Sequence, residues 1–471
     1  MKKKLNSNTK GTVRNLEGLL ESLVLSILFY IAFRKGYEPG LFFDYFGNGK
    51  YVLMVVYILI SIVVFRNTDG FTYGDLRVLE VSMAQWIGLI IINTITYLQL
   101  CLLANGMISP IPVLILTLFE AIAVIPFVFV FSRLNHILYT PHNMLMIVGN
   151  REAVTLKLKM DSRRDKYLVK KMISVDVGYE ALCKEILQYE SVILNDISAL
   201  ARNDILKFCY QHDIRVYAVP KLTDIVLRGA TDVTTFDTPL VAISGGGLTQ
   251  IQSALKRSLD LVLCLFAMIF AAPVMLVVAL AIKLNDGGPV FYKQERITKG
   301  GKPFYVLKFR SMIVDAEKKT GAVLASGNDD RITKVGKVIR ATRLDELPQL
   351  LNILKGDMSF VGPRPERKVF IDEFCQTIPE FAYRTKVKAG LTGYAQIYGK
   401  YNTSPYDKLR LDLMYIENYS IFLDIKLIIM TVRILFKKES TEGIDVAQAN
   451  ESKKDELIRE VQNHCTPDAD K

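Results

Sequence analysis

Two adjacent carboxylates, Asp345 and Glu346, follow Arg340 and Arg343 and precede the turn-rich run Gly362-Pro363-Arg364-Pro365. Neighbouring carboxylates repel, and both ionise readily only beside a cation such as Mg²⁺ or arginine. Arg340 and Arg343 are close enough in sequence to help. The histidines are His136, His142, His212 and His464, so residues 213–463 contain no imidazole base. Ser-His-Asp hydrolysis and H-E-x-x-H zinc chemistry are thereby excluded from that half. A carboxylate then becomes the strongest candidate nucleophile toward phosphorus, forming an acyl phosphate. Taken alone, an Asp-Glu pair is far more often a helix cap or a surface pair, so its surroundings decide. Tyr292-Lys293-Gln294-Glu295-Arg296 and Tyr305-Val306-Leu307-Lys308-Phe309-Arg310-Ser311-Met312 set cations among aromatics. That spacing suits phosphate contacts plus stacking on a base, although a solvated strand face has the same pattern.

Composition bounds the scaffold. The chain has 471 residues, half of them hydrophobic and 23% charged, with a mean hydropathy of +0.24. A soluble globular chain rarely averages above zero, so several segments face lipid or lie deeply buried. Fifty-nine basic against 48 acidic residues leave a charge of +11, which favours anionic partners: phospholipid heads, phosphorylated substrates or nucleic acid. Cys101, Cys183, Cys209, Cys264, Cys375 and Cys465 stand singly. Neither a disulfide framework nor a zinc site is expected, and a reducing cytoplasm fits.

Four apolar stretches, roughly Leu19–Phe33, Tyr51–Phe65, Val81–Ala104 and Ile111–Phe131, fill the first third. A spanning helix needs about 20 apolar residues, so the first two must borrow length from their flanks. Lys2, Lys3, Lys4, Lys10 and Arg14 precede the first stretch, whereas 105–110 carry no charge. The positive-inside rule sets the amino terminus and everything after Arg133 in the cytoplasm. Glu120 falls within the fourth stretch and is expected to be neutral, bonded to Gln85, Asn93 or Gln99 of a neighbouring helix.

Residues 143–243 alternate apolar runs with helical patterns. Leu145–Val148, Tyr167–Val175, Ser191–Leu194 and Ile214–Val219 read as strands; Glu152–Met160, Tyr179–Tyr189 and Ile197–His212 read as helices. That is a parallel α/β pattern. Gly149-Asn150-Arg151 after the first strand lacks the other glycines of a dinucleotide fingerprint, so a regulatory or architectural role is expected. Gly245-Gly246-Gly247 reads as a hinge. A fifth apolar stretch, Leu261–Leu284, follows Lys256-Arg257 and contains Pro273, which removes a backbone donor and kinks a helix. On residues alone, a kinked span and a re-entrant helix compete evenly.

From about Gln252 to Gly443 the chain closely resembles the catalytic domain of bacterial polyprenyl glycosylphosphotransferases, the monotopic phosphoglycosyl transferases. The resemblance rests on Lys256-Arg257, the proline-broken helix, Lys308-Phe309-Arg310-Ser311-Met312, Asp345-Glu346-Leu347-Pro348-Gln349-Leu350, Asn352-x-x-Lys355-Gly356-Asp357-Met358-Ser359, Gly362-Pro363-Arg364-Pro365 and Gly390-Leu391-Thr392-Gly393-Tyr394-Ala395-Gln396. The four preceding stretches and the α/β segment are similar to the large form of that family, of undecaprenyl-phosphate glucose or galactose phosphotransferase type.

The resemblance implies a fold of membrane α plus α/β. It comprises a four-helix transmembrane bundle (1–140), a Rossmann-like cytoplasmic domain (141–245), a catalytic domain (246–445) with a re-entrant helix (255–284), and a polar tail (446–471). It implies that Asp345 attacks the sugar-bearing phosphorus of a UDP-sugar, releasing UMP, and that undecaprenyl phosphate then takes the sugar phosphate. Mg²⁺ would be held by Glu346 with Asp345. Lys308, Arg310, Arg340, Arg364, Lys388, Lys400 and Asp424 would contact substrate, Lys256 and Arg257 the lipid phosphate, and Pro273 would break the helix. The partners implied are the UDP-sugar, undecaprenyl phosphate and the lipid bilayer, with no nucleic acid; a homodimer and later glycosyltransferases of the pathway are further candidates. The implied location is the bacterial cytoplasmic membrane, with the amino terminus and both later domains on the cytoplasmic side, at the first membrane step of exopolysaccharide, capsule or other surface glycan synthesis. Ala272 before Pro273, Lys388-Ala389, Tyr394 and Lys400 depart from the family's common serine, Arg-Pro, Trp and Arg. A membrane sensor whose α/β domain binds a cytoplasmic ligand is the alternative class, and it would need no acyl phosphate.

Overall fold

A computed structural model of the chain describes residues 7–37, 48–139, 141–149, 154–161, 163–164, 166–235, 237–243, 245–314, 331–399 and 403–435. The chain divides into two compact units, one ending at Val219 and one beginning at Pro220.

The first unit opens with four long helices, α1 (Ser7–Gly36), α2 (Gly49–Asn67), α3 (Val78–Leu103) and α4 (Ile111–Leu138). α1 and α3 each pack on both α2 and α4. All four are long and apolar enough to cross a membrane. Leu25, Phe29, Tyr57, Phe65, Leu89, Ile92 and Val124 fill the interior, yet Leu20, Val63, Ile90, Leu118, Phe119 and Ile122 point outward and exposed. Helices apolar on the outside as well as the inside belong in lipid.

Polar residues turn inward. Glu120 accepts from Tyr57 Oη and from Asn93 Nδ2, each at 2.7 Å. Asn93 was among its expected partners. Gln85 was another, but it donates to Glu21 at 2.9 Å. Asp75, between α2 and α3, meets Lys10 at 2.8 Å and also Arg14, while its carbonyl accepts from Arg163 at 2.7 Å. The amino end of α1, the α2–α3 loop and the α/β segment therefore share one end of the helices. The positive charges imply the same grouping.

The α/β segment runs β1 (His142–Val148), α5 (Val154–Asp161), β2 (Tyr167–Ser174), α6 (Tyr179–Ile186), β3 (Ser191–Asn195), α7 (Ala199–Gln211) and β4 (Arg215–Ala218). Its sheet is parallel throughout, in the order β2-β1-β3-β4. Period-two alternation builds a core on each face: Leu145 and Ile147 pack with Leu182, Ile186 and Ile205, while Met144 and Met146 pack with Leu156 and Met160. Each predicted strand and helix is present to within a few residues.

The second unit contains α8 (Leu222–Arg228), β5 (Thr231–Val233), β6 (Leu240–Ala242), α9 (Gln250–Asp286), β7 (Phe291–Ile297), β8 (Pro303–Phe309), α10 (Lys334–Ala341), α11 (Gln349–Lys355), β9 (Ser359–Val361), α12 (Lys368–Thr377), β10 (Gly390–Thr392), α13 (Tyr394–Tyr398), α14 (Pro405–Glu417) and α15 (Ile421–Leu435). The division falls well before the boundary predicted at residue 245. The reason is packing: Ile225 of α8 is fully buried in one cluster with Leu409 and Leu413 of α14. The Gly245–Gly247 run therefore lies inside this unit, with Gly247 beside the Lys386 carbonyl, and does not separate the two units. The predicted tail, 446–471, lies outside the described residues.

α9 is one continuous helix, longer at both ends than the predicted 255–284, with Pro273 inside it. A capping box between Thr249 and Gln252 starts it, and Gly287, in the left-handed region at φ 70°, ends it. Lys256, Asp260, Cys264, Ala271, Val278 and Ile282 are buried along one face. Leu265, Phe266, Ile269, Phe270, Leu276 and Leu280 on the other are exposed. The buried face packs on Leu350 and Ile353 before the proline, and on Phe309 and Ile339 after it.

Candidate active site

The dyad sits in a short loop that three elements hold in place. α10 ends at Ala341 with Thr342 as its cap, and Arg343 adopts the left-handed region (φ 58°, ψ 15°) to reverse the chain into a single 3₁₀ turn, Leu344–Glu346. Leu344 and Leu347 pack into the apolar cluster with Val278, Ile282 and Phe309. Behind them, the Asn352 side chain accepts from Leu307 N at 2.9 Å and donates to Tyr305 O at 2.8 Å. That amide pins α11 to β8 and fixes the loop before α11 against the strand that carries Lys308 and leads into Arg310.

Two cations converge on one oxygen of Glu346. Lys308 Nζ reaches Oε1 at 2.7 Å and Arg364 Nη2 reaches the same atom at 3.2 Å. Burial would raise this carboxyl, but Arg364, Lys308 and Arg343 together hold it well below the usual carboxylate range. Asp345 has no hydrogen bond to any described residue, and burial followed by the Glu346 charge raises it, opposed by Lys308, Arg340 and Arg343. One carboxylate is thus clamped and ionised while its neighbour is free. Arg364 is carried by the loop after β9, whose carbonyls are tied down: Arg384 Nη2 donates to Arg364 O at 3.0 Å, and Gly390 N donates to Pro363 O at 2.9 Å. Arg384 is itself buried against Asp412 at 2.8 Å. The strands approach closely here: a Cβ on Gly393 would lie 2.8 Å from Gln396 Oε1 and 3.1 Å from the Gly362 carbonyl carbon.

The dyad therefore gathers Lys308, Arg340 and Arg364 of the predicted set, together with Arg343. Other predicted residues lie elsewhere. Arg310 is buried and bonded to Asp286, which ties the end of α9 to β8. Lys256 and Asp424 are bonded to each other at 2.6 Å, with side-chain exposures of 7% and 2%. Tyr415 Oη donates to the second Asp424 oxygen at 2.8 Å, and the rings of Tyr415 and Tyr419 flank the Lys256 ammonium at 5.7 and 5.6 Å. Arg257 caps the far end of α11, donating to Ile353 O at 2.6 Å and Leu354 O at 2.8 Å. Arg257 and Lys388 both come within 4 Å of the point where a Cβ on Gly356 would stand. α11 separates them from the dyad by about 10 Å of helix at 1.5 Å per residue. Lys400 lies outside the described residues. Sequence reasoning gave no role to Asn352, although it stands in a quoted motif. Nor did it foresee the Asp260 carboxylate, which accepts from Ser359 Oγ and Phe360 N at 3.0 Å each and anchors β9 to α9.

Among the described residues no group of three or more histidines, cysteines or carboxylates is arranged for a metal. Mg²⁺ needs less: one or two carboxylates, the rest of its octahedron coming from water and substrate phosphates. Asp345 and the Oε2 atom of Glu346, which has no hydrogen bond to any described residue, fit that donor set.

Residues 251–438 match the family described as bacterial sugar transferase. Over 190 residues the chain is 43% identical to UDP-N-acetylgalactosamine-undecaprenyl-phosphate N-acetylgalactosaminephosphotransferase of Aeromonas hydrophila, covering 40% of this chain and 45% of that one. Over 211 residues it is 41% identical to UDP-glucose:undecaprenyl-phosphate glucose-1-phosphate transferase of Escherichia coli K12, covering 44% of each. Over 202 residues it is 41% identical to the Caulobacter vibrioides protein of the same name, covering 42% of this chain and 75% of that one. The matched stretch thus spans less than half of the first two relatives and three quarters of the third.

Proposed function

The chain belongs to the bacterial sugar transferase family, and from that premise we propose that it transfers a sugar 1-phosphate from a UDP-sugar to undecaprenyl phosphate. The observation that carries this reading is the asymmetry of the dyad: Glu346 clamped by Lys308 and Arg364, Asp345 half-buried beside it with no hydrogen bond to a described residue. A nucleophile must be free to move onto phosphorus, and of the two carboxylates only Asp345 is held by no hydrogen bond to a described residue.

In the first step an Asp345 carboxylate oxygen attacks the sugar-bearing phosphorus. The new O–P bond forms as the bond to the bridging diphosphate oxygen breaks, and UMP departs with that electron pair. In the second step a phosphate oxygen of undecaprenyl phosphate attacks the same phosphorus, forming the lipid diphosphate sugar and returning Asp345 as carboxylate. Lys308 and Arg364 hold Glu346 ionised throughout, and Arg340 stabilises charge on the transferred group. Mg²⁺, held by Asp345 and Glu346 Oε2, would neutralise the diphosphate when bound. Relatives are named for glucose and for N-acetylgalactosamine donors, so the sugar here is a hexose or an N-acetylhexosamine.

The topology we propose keeps nucleotide and carrier phosphate on the cytoplasmic face of the bacterial membrane, with α1–α4 as a spanning bundle and α9 as a re-entrant helix. In support, Lys256 near one end of α9 and Asp286 at the other are bonded to Asp424 and Arg310 of the same folded unit. Thirty residues of helix cover about 45 Å. A straight crossing would draw β8 and α11 into a hydrocarbon core roughly 30 Å thick, where their polar groups go unsatisfied. The reaction is tested by offering membranes UDP-glucose, UDP-galactose and UDP-N-acetylgalactosamine, following UMP release, and identifying a phosphosugar adduct on Asp345 by mass spectrometry. Absence of UMP release from every donor refutes the reading.

A further inference from the structure

Several cations of the second unit are already committed. Lys308 and Arg364 are spent on Glu346, Arg310 on Asp286, Lys256 on Asp424, and Arg257 on the carbonyls ending α11. Arg340 and Arg343, half-buried beside the dyad, have no side-chain hydrogen bond or ion pair with any described residue. Their backbones are fastened to the dyad's own turn: Arg343 N donates to Arg340 O at 3.2 Å, and Glu346 N donates to Arg343 O at 3.3 Å.

Arg343 is also one of five non-glycine residues with positive φ among the described residues. A left-handed turn is the natural place for glycine, and an arginine there adopts it at a cost. Strain retained at a functional loop points to a use for the side chain. The two guanidiniums act on the dyad through their field without hydrogen-bonding it, so both forks keep their donors, and the matching ligand is a group with two adjacent anionic phosphates, since each planar fork can take two phosphate oxygens.

We propose that Arg343 is a donor-binding residue that, with Arg340, grips the diphosphate of the nucleotide-sugar and sets its sugar-bearing phosphorus opposite Asp345. This rests on the reaction read above, and it assigns Arg343 to the donor rather than to the acceptor phosphate.

The test uses the full chain in membranes with Arg343→Lys, Arg343→Ala and Arg343→Gly. Donor affinity is read in two ways: as the half-saturating donor concentration for the single-turnover release of UMP in the absence of undecaprenyl phosphate, and as calorimetric binding of UDP, which needs no turnover. Loss of a charged hydrogen-bonding partner should raise the half-saturating donor concentration and weaken UDP binding about ten- to a hundredfold in the Ala and Gly variants alike. The Lys variant should fall between them and wild type, and KM for undecaprenyl phosphate should stay unchanged in all three. Arg343→Gly relieves the positive φ, so its thermal midpoint should match or exceed wild type, which excludes misfolding as the cause.

Unchanged UDP affinity in Ala and Gly overturns the proposal. So does a loss confined to the acceptor KM, which would assign Arg343 to the lipid phosphate. Wild-type affinity in Gly with loss only in Ala also overturns it, because backbone conformation would then be the cause. A wild-type chain that binds UDP but releases UMP from no donor refutes the reaction, not the Arg343 contact.

Discussion

Lys256 is the residue on which the structural and the family-based expectations diverge most. As a headgroup contact it would be exposed and dispensable for folding. In the structure it is sealed against Asp424 at 2.6 Å, with 7% and 2% of the two side chains exposed. Burial and loss of hydration raise the Asp424 carboxyl, while Lys256 and Tyr415 oppose that rise. Replacing Lys256 with Met keeps volume but leaves a buried carboxylate without its cation, a change that costs about 3–5 kcal/mol. For a unit of this size, about 1 kcal/mol moves the midpoint by about 2–4 °C, so the loss is about 6–20 °C.

The assay is thermal unfolding of the full chain in detergent, run on Lys256→Met, Asp424→Asn and the double variant. The double variant should recover much of the loss, since removing both charges leaves no orphan. Donor KM should be unaffected in whatever fraction remains folded. A Lys256→Met protein that melts with wild type while its KM for undecaprenyl phosphate rises tenfold would refute the reasoning. It would show the ammonium leaving Asp424 to hold lipid phosphate.

Asp345→Asn should abolish both UMP release and the phosphosugar adduct, a loss of about a thousandfold or more, and a variant retaining a tenth of wild-type turnover sinks the nucleophile assignment. Because only ionised Asp345 attacks, kcat/KM falls as pH drops through its pKa. Burial and Glu346 raise that pKa, so the acid limb should lie above the ordinary aspartate value, and Arg340→Ala, removing an opposing cation, should move it higher still. A chain truncated to begin at Pro220 should be more stable than one beginning at Leu248, by about 2–5 kcal/mol, since only the first keeps the buried Ile225; equal midpoints would show that α8 adds nothing. Single cysteines at Ser253 and Asn285, in a cysteine-free background, should both label from the cytoplasmic side alone; labelling of Asn285→Cys from outside defeats the proposed path of α9.

Elements whose identity depends on local periodicity were legible in the sequence. The strands of the α/β sheet announce themselves by short β-branched and aliphatic runs between amphipathic helices, because a parallel strand is buried on both faces. The dyad was legible only in part. Repulsion between Asp345 and Glu346 implied cations, but Arg364, eighteen residues from Glu346, is brought to it by a loop that no local pattern describes. Lys256 and Asp424 are 168 positions apart. The resemblance implies a lipid-phosphate contact for Lys256, whereas its ammonium is paired with a carboxylate on another helix. Asp424 begins the apolar α15, where a carboxylate cannot stay buried without a cation, and that requirement could have been turned into a search for its partner. Glu21 and Glu120 also need partners inside apolar helices, and neutral donors supply them: Tyr73 and Gln85 for the first, Tyr57 and Asn93 for the second. A charge inside an apolar helix is therefore best read as a statement about a second helix, and its partner is the contact that fixes how the two are set against each other.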